Sequence, residues 1–242
     1  MGELVLITGT SSGIGLATAL ECAAAGHRVV ATLRNLEKRK ALERAAKDRG
    51  VKIDIEQLDV THESAGAKVR ELVLKYGPFY ALVNNAGIAV AGAFEEQSDA
   101  DVRDQFETNV FGLMTVTRAL LPTMRAAGRG RIINVSSVSG RIAFPLLAVY
   151  AASKHAIEGL AEGLRWEVEP FGIQVVNVEP GVVKTPIFFE NQRLGEHVRN
   201  DGPYAAMNAI VERILRDDVE KAPSADVVGA AIARLVTETS PP

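Results

Sequence analysis

Cysteine is almost absent from this 242-residue sequence: Cys22 is the single one, so no intramolecular disulfide bond is possible. A chain without disulfides is typical of a reducing compartment, and we expect a cytoplasmic protein. The four histidines are scattered along the chain at positions 27, 62, 155 and 197. Because this spacing is not that of metal ligands, no metal site is predicted.

The sequence also lacks an excess of positive charge and any long hydrophobic run. A net charge of -3 argues against nucleic-acid or acidic-membrane partners, because such partners need a basic face. The longest nearly apolar run, residues 142–152, is too short to cross a bilayer, so no membrane span is predicted. From Glu3 onward the chain reads as a strand and turn rather than as a secretory signal.

What the sequence does contain is an alternation of short apolar runs and longer amphipathic segments. Continuous apolar runs are typical of parallel strands that are covered on both faces. The predicted strands are residues 4–7, 28–32, 52–57, 81–83, 131–135 and 174–178. The predicted helices are residues 14–25, 36–49, 62–76, 99–127 and 151–169. This order predicts an α/β fold, a doubly wound parallel sheet of the Rossmann kind, in a single domain over residues 1–242.

Two regions depart from the alternation. Residues 184–221 read as irregular and mix Phe188, Phe189 and Tyr204 with charged residues, which favours a mobile cover over a substrate site. A helical run over residues 224–237 then ends the chain with no further strand. Two explanations stay open: the last strand of the sheet is naturally absent, or the chain is truncated.

The segment TGTSSGIG, residues 8–15, lies between the first strand and the first helix. In this position backbone N–H groups and a helix N-terminus bind a pyrophosphate. Gly9 permits the tight turn, Gly13 lets the phosphate approach, and Gly15 lets the helix pack closely on the sheet. The spacing differs from G-x-G-x-x-G, and an ordinary flexible turn of small residues is the alternative.

A tyrosine, a lysine and a serine form the candidate catalytic group. Tyr150 and Lys154 are four residues apart and share one helix face. A lysine ammonium beside a phenol lowers the phenol's pKa, which makes Tyr150 an acid for ketone reduction or a base for alcohol oxidation. Ser137 follows a strand and can donate a hydrogen bond to the reacting oxygen. Singly, Tyr150 and Lys154 read as an interface tyrosine and a solvated lysine, and Ser136 and Ser139 compete with Ser137.

Together these motifs resemble those of the short-chain dehydrogenase/reductase family, and they cover roughly residues 4–190. They occur in the family's order: Thr8-Gly9-x3-Gly13-Ile14-Gly15, Asn84-Asn85-Ala86-Gly87, Asn109, Ser137, Tyr150-x3-Lys154, Pro180-Gly181 and Thr185. The stretches ATLRN, LPTMRAAGRGRIINVSSVSG and VYAASKHAIEGLAEGLR are similar to the branch with 17β-hydroxysteroid and retinol dehydrogenases. The resemblance supports a steroid- or retinoid-like carbonyl without selecting one.

The resemblance implies a role for each matching residue. Ser137, Tyr150, Lys154 and Asn109 would be catalytic, with Asn109 holding a water that links Lys154 to solvent; a mundane backbone hydrogen bond is the alternative for Asn109. Tyr150 and Lys154 would also contact the cofactor, Lys154 at the nicotinamide ribose. The further cofactor-binding residues would be Gly9, Ser11, Ser12, Gly13, Ile14, Gly15, Arg34, Asp59, Val60, Asn85, Ala86, Gly87, Pro180, Gly181, Val183 and Thr185.

The end of the second strand indicates which dinucleotide is bound. In NAD enzymes an Asp or Glu at this point binds the ribose 2′-hydroxyl, but here the position holds Leu33 and is followed by Arg34. An arginine can make bidentate contacts with a 2′-phosphate, and Ser11 and Ser12 can add hydroxyl donors. The prediction is NADP(H), with a solvated arginine as the alternative for Arg34.

The substrate side and the outer helices give less specific predictions. Phe144, Pro145, Leu146 and Leu147 predict an apolar pocket wall, which suits a small lipophilic ketone, aldehyde or alcohol. Helices 99–127 and 151–169 carry apolar residues around much of their circumference, so their outer faces need cover. The family resemblance implies that these two helices form the interface of a homodimer or homotetramer.

Three functions compete at this point. The first is an NADP(H)-dependent carbonyl reductase or alcohol dehydrogenase. The second is a non-catalytic NADP(H)-binding regulator on the same fold, which the presence of Ser137, Tyr150 and Lys154 opposes. The third is a sugar epimerase or dehydratase, which the short segment after Thr185 disfavours because those enzymes need a larger substrate domain.

Overall fold

Among the residues that the structure describes, six parallel strands form one sheet and two further strands form a separate pair. The computed structural model describes residues 2–188, 193–239 and 241. The strands are β1 (Leu4–Ile7), β2 (Arg28–Leu33), β3 (Asp54–Gln57), β4 (Ala81–Asn84), β5 (Val90–Ala91), β6 (Gly130–Val135), β7 (Ile173–Val178) and β8 (Arg193–Leu194). The sheet order is β3-β2-β1-β4-β6-β7, and β5 pairs with β8. All pairings are parallel.

Helices cover both faces of this sheet. They are α1 (Gly13–Ala24), α2 (Arg39–Arg49), α3 (Ala65–Tyr76), α4 (Asp99–Phe106), α5 (Leu113–Ala127), α6 (Ala148–Val168), α7 (Ala205–Lys221) and α8 (Ala225–Thr237). A π-helical turn, Glu107–Gly112, connects α4 to α5. Ser98 caps α4 with a capping box, in which it exchanges hydrogen bonds with Asp101. No helix among the described residues is both long and apolar enough to cross a membrane.

The apolar strands explain why the sheet is covered twice. Along β1, Leu6 packs into one core with Leu82, Leu120 and Ile132, whereas Val5 and Ile7 pack into the other. The second core includes residues of α1, α2 and α8, and α8 lies directly on α1. Gly229 of α8 permits this contact, because a Cβ there would lie 2.8 Å from the Ala17 carbonyl carbon. The predicted doubly wound parallel sheet is therefore confirmed.

The structure agrees with the predicted strands and differs from the predicted helices and irregular segment in two places. Each of the six predicted strands forms within two residues of its predicted bounds. The predicted helix 99–127 contains the π-helical turn, where the i to i+4 pattern is interrupted. The prediction that residues 184–221 are irregular is wrong for 205–221, which form α7. In the part of the chain that the structure describes, no strand follows Leu194.

Candidate active site

The turn after β1 has the backbone geometry of an anion cradle. Gly9 and Gly13 have φ angles of 70° and 57°, in the left-handed region that favours glycine. At Gly9 a Cβ would also lie 2.7 Å from the Ala86 Cα. Helix α1 begins at Gly13, and the side chain of Ser12 does not cap it. The first N–H groups of α1 are therefore available to an anion.

Hydrogen bonds join this turn to the loop after β4. Thr8 Oγ1 accepts from the backbone N–H groups of Asn85 and Ala86, both at 3.0 Å. Asn85 Nδ2 donates to the carbonyl oxygens of Thr8 and Gly9, both at 2.9 Å. A Cβ at Gly15 would lie 2.3 Å from Asn85 Nδ2. A side chain at position 15 would therefore collide with Asn85 and with the Gly9 carbonyl oxygen, 2.4 Å away, so glycine is required there.

Ser137 and Tyr150 lie side by side at the carboxyl edge of the sheet. Ser137 is the second residue after β6, Tyr150 lies in the first turn of α6, and the Ser137 hydroxyl lies near enough to the phenol to act on its pKa. Ser137 Oγ also accepts from the Ser139 N–H at 3.1 Å, which holds the hydroxyl in place. Ser136 is buried and Ser139 is buried as well. Of the three candidate serines, the structure therefore brings Ser137 to the tyrosine.

Lys154 lies one turn after Tyr150 and is buried. Its Nζ is 5.7 Å from the centre of the Tyr150 ring and donates to the Val135 carbonyl at 2.8 Å. Burial lowers the pKa of Lys154 to about 8, and the carboxylate of Glu158 opposes that shift. A lysine that titrates this close to neutrality is typical of a functional site.

The pKa of Tyr150 moves in the direction opposite to the prediction. Burial raises it above the usual value, and the neighbouring Ser137 hydroxyl opposes the rise. The predicted lowering depended on the charge of Lys154 alone. In the structure that ammonium is bonded to a strand end, and removal of the phenol from water dominates. At neutral pH Tyr150 therefore carries its proton.

Asn109 occupies the π-helical turn and is 1% exposed. Its Oδ1 accepts from the Ile88 N–H at 2.9 Å, and its Nδ2 donates to the Ile88 carbonyl and to Ser153 Oγ, both at 3.1 Å. Ser153 Oγ in turn donates to the Tyr150 carbonyl at 2.7 Å. Asn109 thus connects the loop after β4 to the helix that carries Tyr150. The prediction that it also holds a water stays a prediction.

Ser153 was missed by the sequence analysis as a member of this group. Its position three residues after Tyr150 would place it on the same side of α6. The motif reading used only the tyrosine and the lysine of that segment, and the position of Asn109 opposite Ser153 depends on the packing of α6 against the π-helical turn.

The segment after β7 lies against the glycine turn. The Pro180 carbonyl accepts from the Val138 N–H at 3.0 Å, and Val183 is buried. The Thr185 Cβ would lie 3.4 Å from a Cβ at Gly13. Gly87 is close to Asn109: a Cβ added at Gly87 would lie 3.3 Å from the Asn109 Oδ1. The predicted residues of these three loops are thus neighbours in space.

Arg34 and Leu33 lie at the end of β2. The Arg34 side chain is exposed, and its guanidinium has no acidic partner within ion-pair distance among the described residues. Its carbonyl accepts from Gln57 Nε2 at 3.1 Å. Leu33 is 1% exposed, so its side chain packs inside the protein. The arginine is thus a cation available to a ligand.

Asp59 and Val60 follow β3 and were predicted to contact the cofactor. Asp59 Oδ1 accepts from the N–H of Thr61 at 3.0 Å and from its hydroxyl at 2.8 Å, which closes a turn. Val60 is buried in the core, and a Cβ at Gly112 would lie 2.7 Å from its Cγ2. A contact from Val60 to a ligand would therefore have to use its backbone.

The apolar wall before α6 has an unusual backbone. Leu146 has a φ of 62°, and no other non-glycine residue that the structure describes has a positive φ. Its carbonyl accepts from the Gly92 N–H at 2.9 Å. Strained positions of this kind occur at ligand sites, where the surrounding structure holds them. Phe144 is 44% exposed, whereas Phe189 lies outside the described residues.

Comparison with known proteins agrees with this geometry. A family model described as short chain dehydrogenase matches residues 3–194. The 3-ketodihydrosphingosine reductase of Bacteroides thetaiotaomicron is 35% identical over 240 residues, which are 99% of this chain and 86% of that protein. Human retinol dehydrogenase 8 is 39% identical over 196 residues, which are 79% of this chain and 62% of that protein.

Solved structures show the same architecture. A short-chain dehydrogenase from Streptomyces avermitilis superposes with a TM-score of 0.84 at 37% identity, covering 100% of this chain and 86% of its own. A variant of the actinorhodin polyketide ketoreductase, solved with NADPH, superposes with a TM-score of 0.83 at 31% identity, covering 97% of this chain and 90% of its own.

Proposed function

The chain belongs to the short-chain dehydrogenase family, and on that premise we propose that it is an NADP(H)-dependent oxidoreductase. It would interconvert a lipophilic ketone or aldehyde and its alcohol. The observation that carries the proposal is the neighbouring pair Ser137 and Tyr150, with the buried Lys154 one helical turn from the tyrosine, at the sheet edge that also carries the glycine turn.

The residues of this edge fit a phosphorylated dinucleotide. The turn Gly9–Gly13 and the uncapped start of α1 offer N–H donors to a pyrophosphate, and Arg34 offers a cation to a 2′-phosphate. Asn85, Ala86 and Gly87 would line the adenosine half. Pro180, Gly181, Val183 and Thr185 would bracket the nicotinamide. When bound, the nicotinamide supplies or accepts the hydride.

The chain's own residues handle the proton. Because burial raises the pKa of Tyr150, its phenol keeps its proton at neutral pH and can donate it to a carbonyl oxygen. The Ser137 hydroxyl can donate a second hydrogen bond to the same oxygen as charge develops on it. Lys154 keeps a positive charge close to both groups. This protonation state favours reduction near neutral pH.

The substrate class follows from the wall of the site and from the relatives. Phe144 and Leu146 precede the helix that carries Tyr150, and Phe144 is exposed, so this segment would offer apolar surface to a substrate. The names of two relatives, 3-ketodihydrosphingosine reductase and retinol dehydrogenase 8, describe proteins that act on lipophilic molecules. Residues 184–221, including α7, would cover the bound substrate.

A panel of lipophilic ketones and aldehydes, with NADPH and NADH followed by absorbance, tests the proposal. We expect NADPH oxidation with apolar carbonyl compounds and little with polar sugars, because the pocket wall is apolar. Tight NADPH binding without turnover of any carbonyl would instead support the non-catalytic regulator.

We also expect a homodimer or homotetramer. Trp166 on α6 is 74% exposed, and Phe111 on the π-helical turn is 49% exposed. Large exposed aromatic residues are typical of protein interfaces. Light scattering at micromolar concentration should give at least a dimer, and Trp166→Lys should weaken it. Leu74→Lys, at an 88% exposed position of α3, is the control that should leave the assembly unchanged. A monomeric wild type would contradict the prediction.

A further inference from the structure

Three asparagines form a hydrogen-bonded row across the carboxyl half of the sheet. Asn84 of β4 pairs in register with Asn134 of β6, which pairs with Asn177 of β7. Asn84 Nδ2 donates to Asn134 Oδ1 at 2.9 Å, and Asn134 Nδ2 donates to Asn177 Oδ1 at 3.0 Å. Thr117 Oγ1 of α5 accepts from Asn84 Nδ2 at 2.9 Å. The row therefore has one direction, with each amide donating to the next strand.

The row ends at a buried carboxylate. Asn177 Nδ2 donates to Glu158 Oε2 at 2.6 Å. The Glu158 side chain is only 9% exposed, and the same oxygen lies 3.2 Å from Arg141 Nη2. Glu158 Oε1 is buried and has no hydrogen-bond partner among the described residues. A buried and incompletely bonded carboxylate costs stability, so its presence calls for a functional reason.

Glu158 also shares a helix face with the lysine of the site, although the two charged groups are not within the 4 Å of an ion pair. The two residues are four apart on α6, which places them on one face of the helix. Lys154 Nζ is bonded to the carbonyl of Val135, the residue that follows Asn134. The end of β6 therefore holds both residues. Val135 binds Lys154 directly. Asn134 binds Asn177, which in turn binds Glu158.

We propose that Glu158 is a positioning residue for Lys154: its carboxylate, held by the asparagine row and by Arg141, supplies the negative charge that keeps the buried lysine an ammonium ion. The inference rests on the proposed function, because a charged Lys154 matters there for proton donation by Tyr150. It assigns to the asparagine row the task of fixing that carboxylate.

The charges around the pair support this arrangement. Burial lowers the pKa of Lys154 to about 8, and Glu158 is the charged group among the described residues that raises it again. Arg141, after β6, faces Glu158 and also contacts Glu179, after β7, at 2.8 Å. The π-helical turn, which also packs on α6, contributes the uncharged Asn109. Loss of the Glu158 charge should therefore move the lysine's titration to lower pH.

The titration of Lys154 sets the pH at which reduction should decline. Lys154 is protonated below its pKa, so reduction should decline as the pH rises through about 8 in the wild type. In Glu158→Gln the decline should begin about one pH unit lower, at the small end of the shifts that a neighbouring opposite charge produces. Glu158→Asp, which keeps the charge, should restore most of the wild-type profile.

Two measurements test the inference. The first is the pH profile of kcat for the wild type, Glu158→Gln and Glu158→Asp, with Glu167→Gln, an exposed acid on the same helix, as control. The second is an NMR titration of 15N-labelled Lys154 Nζ, assigned with Lys154→Arg, which needs no catalysis. A lower midpoint in Glu158→Gln supports the inference even if no carbonyl substrate is found. An unchanged midpoint overturns it, as does an equal loss of kcat at every pH, which would indicate a purely structural role.

Discussion

Tyr150→Phe is expected to lower kcat/KM for carbonyl reduction about a thousandfold, within the range that a positioned acid contributes. The phenol donates the proton that the reduced oxygen needs, and phenylalanine keeps the ring but has no proton to give. Because the Tyr150 backbone and Lys154 are held by Ser153 and Val135, the fold should survive. Steady-state kinetics with the best carbonyl of the panel gives the ratio, and fluorescence titration gives the affinity for NADPH.

The control for this variant is Tyr76→Phe. Tyr76 lies on α3, where its hydroxyl donates to Glu56 at 2.7 Å, away from the carboxyl edge of the sheet. This variant removes one partly buried tyrosine hydroxyl that does not contact Ser137. We therefore expect kcat/KM to stay within about twofold of the wild type. Full activity of Tyr150→Phe would show that another group donates the proton.

The strands could be predicted because both faces of the sheet are covered. Runs such as Leu4–Ile7 are apolar throughout, and the glycine turn that follows marks where β1 ends. Helix α7 could not be predicted because none of its residues is buried. A helix that buries no face needs no apolar stripe, and the stripe is the pattern by which a helix is recognised in a sequence. Met207, Ile210 and Ile214 are about half exposed on it, among many charged residues.

The residues of the site were found by their local motifs, but their electrostatics were not. Tyr150 and Lys154 can be read from a spacing of four. The directions of their pKa shifts depend on burial, which comes from packing of α6 against β7 and the turn after β6. The asparagine row depends on strand register: Asn84, Asn134 and Asn177 are far apart in sequence and meet because β4, β6 and β7 are neighbours.

Arg34 has the surroundings of a ligand-binding cation. About half of the other arginines have an acidic partner among the described residues, such as Arg39 with Glu43 at 3.2 Å. Arg34 is exposed at the sheet edge that also carries the glycine turn, and it has no acidic partner among the described residues. A guanidinium bonded to a phosphate contributes about 1.5–3 kcal/mol. We therefore expect at least a tenfold preference for NADPH over NADH, about 1.4 kcal/mol.

Arg34→Ala should remove this preference by weakening NADPH alone, at least tenfold, because NADH has no 2′-phosphate for the arginine to bind. Leu33→Asp should go further and reverse the preference, since a carboxylate repels a 2′-phosphate and accepts hydrogen bonds from a ribose diol. The ratio of the two affinities should then change about a hundredfold in total.

Leu33 is 1% exposed, so the aspartate also costs stability, and thermal unfolding must accompany the binding titrations. Arg44→Ala is the control, because Arg44 is exposed on α2 and pairs with Asp48. Equal affinities of the wild type for NADPH and NADH would contradict the assignment. So would an Arg34→Ala variant that loses both cofactors to the same extent, because the arginine would then act on a part that the two share.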